Sequence, residues 1–227
     1  MELNTKRVLE ILRDKGVKNL FHANTVQTSC TFLQNGYLMA RGVVAERGLN
    51  QTPQKSDGID KRCGIWFDLF LDSTNIHYRA KHENYYGPVL FVFKLEILEQ
   101  DWLPSLWITK SNPQNWTDDT TTRYFLSEDD FEHKYKHGDF DKMLLLRHCG
   151  GVLKLAPYLE EIYLDNPHLE IDGVDIYSQA LGALKASARI SNMQDIIISP
   201  HPCKNSCACN QNYERMNDTK LSKFFIP

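Results

Sequence analysis

Short apolar runs set between amphipathic helical stretches of unequal length, with no steady strand-helix alternation, predict an irregular α+β domain. Two segments carry the point. Residues 89–93 (Val-Leu-Phe-Val-Phe) have the length and β-propensity of a buried strand, while residues 174–190 place Ile176, Ala180, Leu181, Leu184 and Ala188 on one helical face. A chain of 227 residues, 42% hydrophobic and 11% aromatic, can bury one sizeable core. Residues 1–227 therefore read as a single domain, with an N-terminal helix over 5–15 and a cysteine-rich C-terminal tail over 200–227.

In chain order, residues 5–15 carry Val8, Leu9, Ile11 and Leu12 at helical spacing, and Gly16 ends that helix. Leu20-Phe21-His22 is a short apolar strand. Asn24 is predicted to cap the next helix, which buries Val26, Cys30, Phe32 and Leu33 until Asn35-Gly36 stops it. Residues 37–40 return as a strand. Residues 41–62 lose periodicity and collect Gly42, Gly48, Pro53 and Gly58, which predicts a long loop. Strands are expected over 64–71, 89–95 and 106–110. A short helix opens after Ser127 with Glu128, Asp129 and Asp130 in its first turn, where the helix dipole favours acids. A further helix is expected over 140–148, a strand over 158–164, the long helix over 174–190 and a last strand over 195–199.

Composition excludes several classes. No apolar run approaches the roughly 20 residues of a membrane helix, and the first residues lack an apolar signal segment, so a cytoplasmic protein with no membrane partner is expected. The six cysteines, at 30, 63, 149, 203, 207 and 209, suit a reducing compartment. A balance of 26 basic against 29 acidic residues argues against nonspecific coating of nucleic acid. Charge is uneven, however: residues 96–141 hold eleven acids against four bases, whereas residues 41–81 hold seven bases against five acids. An anionic ligand is expected on the 41–81 side.

Three segments each carry one residue suited to a nucleotide. His22 stands in Phe21-His22-Ala23-Asn24, and Trp66, whose indole offers a flat apolar face, in Cys63-Gly64-Ile65-Trp66-Phe67-Asp68. Glu161 stands in Glu160-Glu161-Ile162-Tyr163-Leu164, where only one of the two neighbouring carboxylates can face a site on a given side of the strand. In this order they resemble the His, aromatic, Glu signature of ADP-ribosyltransferases of the poly(ADP-ribose)-polymerase/diphtheria-toxin type. The resemblance implies an ADP-ribosyltransferase-like fold, split antiparallel β-sheets with flanking helices, and an enzyme of the glycosyltransferase class that consumes NAD+. It implies that His22 bonds a ribose hydroxyl, that the backbone of Ala23, where the family usually has glycine, grips the nicotinamide amide beside Asn24, and that Trp66 packs on nicotinamide. Lys81-His82-Glu83-Asn84-Tyr85-Tyr86-Gly87 resembles the Ser-Ala-Asn-Tyr helix end of the family, which makes Tyr85 the second stacking ring. Glu161 would stabilise the oxocarbenium charge that grows as nicotinamide leaves.

The Phe21-His22 opening, the strand over 86–93 and the Glu161-to-Pro167 run also look like bacterial DarT-type transferases, which modify bases in nucleic acid. In that group an arginine after the first helix contacts phosphate and assists transfer. Arg41, Arg47 and Arg62 all lie in the corresponding region, and the role stays open among them. The expected function is mono-ADP-ribosylation of a DNA or RNA base by a toxin or phage-defence effector, with nucleic acid as acceptor and a neutralising antitoxin as partner by analogy. Alternatives are a protein side-chain acceptor and a non-catalytic, partner-binding module with a Cys-rich metal site. Leu159, standing where arginine-modifying toxins carry Gln or Glu, speaks against protein arginine. In the tail, His201, Cys203, Cys207 and Cys209 have the ligand types of a structural zinc site. The Cys-x-Cys spacing is tight for it, so the expectation is no metal, with free thiols in a surface tail and zinc as the alternative.

Overall fold

The structure, a computed structural model, describes residues 1–78, 85–203 and 208–227. Strand β1 (Leu3–Asn4), too short to show in the sequence pattern, runs directly into helix α1 (Thr5–Asp14), which buries Val8, Leu9, Ile11 and Leu12 as their spacing requires. Strand β2 (Asn19–Asn24) leads to α2 (Val26–Asn35), closed by Gly36 in the left-handed region at φ 72°. The cap of α2 is Thr25 rather than Asn24. Thr25 Oγ1 accepts the Thr28 N–H, whereas Asn24 Oδ1 accepts the N–H of Thr25 at 2.9 Å.

After β3 (Tyr37–Met39), the expected loop over 41–62 contains two short helices, α3 (Arg41–Glu46) and α4 (Asp57–Arg62). Six-residue helices are too short to print a periodicity. Strand β4 (Leu69–Asp72) begins later than the expected Gly64, because Gly64 turns the chain at φ 71° and Trp66 and Phe67 occupy a second turn. Then come β5 (Val89–Lys94), β6 (Ser105–Ile108) and α5 (Glu128–Lys134), the last capped by Ser127. Residues 140–148 form no helix. Met143–Leu146 is strand β7, with all four residues buried.

Strands β8 (Val152–Lys154), β9 (Leu159–Leu164), β10 (Glu170–Ile171) and β11 (Val174–Asp175) precede the long helix α6 (Ile176–Ile190) and strand β12 (Ile197–Pro200). The C-terminal segment is not a surface tail. Helix α7 (Cys209–Glu214) buries Tyr213, and α8 (Asp218–Phe225) buries Leu221, Phe224 and Phe225 against α2 and α6.

Among the described residues, eight strands form one mixed sheet in the order β1-β6-β7-β4-β2-β5-β9-β12, antiparallel except for β12 beside β9. With its flanking helices this is a mixed α+β architecture. The sheet nearly divides at its centre. Strand β2 pairs with β5 along its whole length, Asn19↔Lys94 to Asn24↔Val89, but with β4 only at Phe21↔Asp72. The main buried cluster draws on residues from Leu3 to Phe225. No helix among the described residues is long and apolar enough to cross a membrane.

Candidate functional site

A cleft of about 840 Å³ opens where β2 and β4 part, lined by His22, Ala23 and Asn24 from β2, Arg41 from α3, Asp60 from α4, and Trp66, Tyr86 and Asn112 from the turns around them. His22 Nδ1–H donates to Phe70 O at 2.9 Å, a side-chain bond across the gap that the backbone ladder leaves open. Its Nε2 is then the acceptor nitrogen, with Asn24 Nδ2 at 3.4 Å. Burial, reinforced by the charge of Arg41, pushes the His22 imidazole down to about 4, so it is neutral at pH 7.

Arg41 is held rigidly. Its Nε donates to Asp57 Oδ1 at 2.5 Å, and Nη2 to Asp57 Oδ2 at 2.9 Å and Thr52 O at 3.0 Å. Thr52 is in turn tied to the start of α2, its N–H donating to Thr28 Oγ1 at 3.0 Å and its hydroxyl 2.7 Å from that of Thr25. Arg41 Nη1 is buried with no hydrogen-bond partner among the described residues. A buried unpaired donor on a cation is costly, and an anionic ligand would satisfy it. The guanidinium carbon also stands 5.7 Å from the centre of the Trp66 ring. Gly42 makes this approach feasible: its N–H donates to Trp66 O at 2.8 Å, and a Cβ there would lie 2.6 Å from the Phe67 ring and 2.7 Å from Trp66.

Of the three candidate arginines, Arg41 alone lines the cleft. Arg47 caps α3 and, among the described residues, reaches Met39 Sδ at 4.0 Å, and Arg62 is exposed at the end of α4. Tyr85 is 56% exposed, with the ammonium groups of Lys55 and Lys220 5.6 and 5.8 Å from its ring centre, and does not line the cleft. Tyr86 does, its hydroxyl accepting from Asn112 Nδ2 at 2.9 Å. The next residue fixes this choice. Gly87, at φ 126°, lies so close to the Asn24–Thr25 backbone that a Cβ would meet it at 2.4 Å. The rest of the second-ring motif, Lys81 to Asn84, lies outside the described residues.

Glu161 is not in the cleft wall. Register places it opposite Val92, which lies opposite Phe21, so Glu161 shares a sheet face with Phe21 and Ala23, while His22 shares the other with Phe91 and Ile162. Two strand spacings put the Glu161 backbone about 10 Å from β2. Its carboxylate accepts the Tyr163 hydroxyl, which burial and then Glu161 itself push up to about 12. Glu160 turns away and accepts from Asn19 Nδ2 at 2.6 Å. A carboxylate the sequence did not single out, Asp60, faces the cleft, and burial pushes it up to about 6. Its only sequence signal is its place among the charges of 41–81.

A second polar cluster lies where the C-terminal segment meets β9. Asp165 accepts from His77 Nδ1 at 3.1 Å and from the Tyr213 hydroxyl at 2.5 Å. Burial alone would raise this carboxyl, but the imidazole and the hydroxyl hold it below its ordinary value. His201 is buried beside them, its ring against those of His77, Tyr78 and Tyr163. Asn75 Oδ1 accepts the His77 N–H at 3.0 Å, leaving Asn75 Nδ2 to donate to His201 Nε2 at 3.0 Å. Cys203 and Cys209 approach from the other side of His201, and Cys207 lies outside the described residues. Compared by sequence with known proteins, the chain matches no family model and no curated protein, so the case for its chemistry rests on its own residues.

Proposed function

We propose that the protein is an NAD-dependent mono-ADP-ribosyltransferase that modifies a nucleic-acid base. The observation that carries this reading is the convergence of His22, Arg41 and Trp66, from three separate segments, on one cleft at the parting of β2 and β4. NAD+ would supply a ribosyl carbon whose leaving group is nicotinamide. The residues fit such a ligand: Trp66 and Tyr86 offer rings, neutral His22 offers an acceptor nitrogen for a ribose hydroxyl, and Arg41 Nη1, without a partner among the described residues, offers a charged donor to phosphate. Glu161, on the face shared with Ala23, is the carboxylate assigned to stabilise developing positive charge at the ribose.

A nucleic-acid acceptor is supported by cations beside aromatic rings. Lys61 lies 4.5 Å from the centre of the Trp66 ring at the cleft, and Lys55 and Lys220 flank Tyr85, which lies outside it. A toxin role and a neutralising partner follow from the DarT resemblance alone. The test is incubation with labelled NAD+ and, separately, single-stranded DNA, duplex DNA, RNA and cell protein. Label is expected on a nucleic acid. Label on protein alone would move the acceptor to a side chain, and no transfer to any of the four would remove the enzymatic reading.

A further inference from the structure

The residues that follow β12 form a constellation that the transferase reading does not use. His201 Nδ1 lies 3.6 Å from Cys203 Sγ, and Cys203 Sγ lies 3.3 Å from Cys209 Sγ. These separations are close to those that ligands take around a shared ion. With Zn–S bonds of about 2.3 Å and a Zn–N bond of about 2.0 Å, tetrahedral angles place nitrogen and sulfur about 3.5 Å apart and two sulfurs about 3.8 Å apart. The nitrogen–sulfur spacing matches closely, and the two sulfurs need to move apart by about half an ångström. The first two ligands stand just past the end of β12 and the third is the first residue of α7, so they come from two elements.

We propose that His201 Nδ1, Cys203 Sγ and Cys209 Sγ hold a structural zinc ion that fastens the start of α7 to the end of β12. Two thiolates and an imidazole are a donor set that selects zinc over harder cations. Loading releases the two thiol protons, and the His201 proton must reside on Nε2 once Nδ1 binds the ion. Nε2 then needs an acceptor, and turning the Asn75 amide supplies its oxygen at the expense of the bond that oxygen now accepts from the His77 N–H. The neighbouring trio of His77, Asp165 and His201, whose ligand atoms lie within 4.8 Å of one another, is a different arrangement. There Asp165 already accepts from both His77 and Tyr213.

The test is elemental analysis of the full chain purified without chelators, followed by removal of metal and titration with cobalt(II), whose thiolate charge-transfer absorption reports bound sulfur. About one zinc per chain is expected, lost in Cys203→Ser and Cys209→Ser and retained in Cys149→Ser. Asn75→Asp, which offers Nε2–H an acceptor without a turn of the amide, should tighten binding roughly tenfold in competition with a chromophoric chelator. Should the serine variants not fold, the cobalt titration of the native chain decides alone. A reduced native chain that takes up neither zinc nor cobalt would overturn the proposal, as would a Cys203–Cys209 disulfide in an unreduced peptide map. Tightening absent in a folded Asn75→Asp chain would remove His201 from the ligands.

Discussion

Arg41 combines two demands that usually conflict, a fixed position and a free donor. Asp57 and Thr52 take Nε and Nη2, while Nη1 is left buried without a partner among the described residues. A lysine could not reproduce the paired bonds, since its ammonium is a point charge without a planar fork. Under the proposed function, Arg41→Lys should therefore lose nearly as much transfer as Arg41→Ala, on the order of 100-fold, with circular dichroism unchanged. Glu161→Gln keeps the Tyr163 bond but not the charge, and is expected to lower the rate roughly 100- to 1000-fold, measured as labelled ADP-ribose transferred per unit time. His22 adds a pH dependence. Its folded value of about 4 lies below the ordinary 6.5, so the unfolded chain takes up a proton that the folded chain refuses. Stability supplied above 6.5 is thus lost as the pH falls toward 4. Urea midpoints should decline over that window, and less steeply in His22→Asn. At this scale His22 and Trp66 were legible, because each sits in a short run whose order carries information. The choice of Tyr86 over Tyr85 was not, since adjacent tyrosines differ only in the direction each takes, and the backbone contact of Gly87 decides it. The clamp of Asp57 on Arg41 was equally hidden, because it joins two helices too short to have been foreseen.

At the level of elements, the parting of β2 from β4 makes the cleft, and two glycines set its walls. Gly42→Ala would drive a methyl group into the Trp66 and Phe67 rings, which must shift. We expect folding to survive at a cost of about 1–3 kcal/mol, with the tryptophan emission maximum moved. Gly87→Ala collides with backbone rather than with rings, and its φ is one that alanine rarely adopts. It should destabilise more than Gly42→Ala in the same thermal melts. Strand β7 shows why some elements resist sequence reading. Met-Leu-Leu-Leu is buried on both faces in the interior of the sheet, and a run without alternation fits a buried helix equally well. For α8 a signal existed: Leu221, Phe224 and Phe225 stand at helical spacing behind the Asn217 cap. The neighbouring cysteines and polar residues of the tail obscure it.

For the molecule as a whole, the last ten residues belong to the same core as the first. Leu221, Phe224 and Phe225 pack in the core beside α2 and α6, so deleting residues 218–227 should cost about 6 kcal/mol at about 2 kcal/mol for each buried side chain removed. Chemical denaturation of the truncated chain would read this as a large fall in midpoint or as failure to fold. The α+β class was legible from run lengths and helical faces, whereas the strand order was not, because pairing depends on contacts remote in sequence. The ends of that order have a consequence of their own. The outermost strands are β1, only two residues long, and β12, which closes on Pro200, a residue with no backbone donor. A foreign strand seeking to extend the sheet finds too short a template at one side and an interrupted ladder at the other. The folded chain should resist templated aggregation even when concentrated, and a thioflavin signal that grows under native conditions would contradict this.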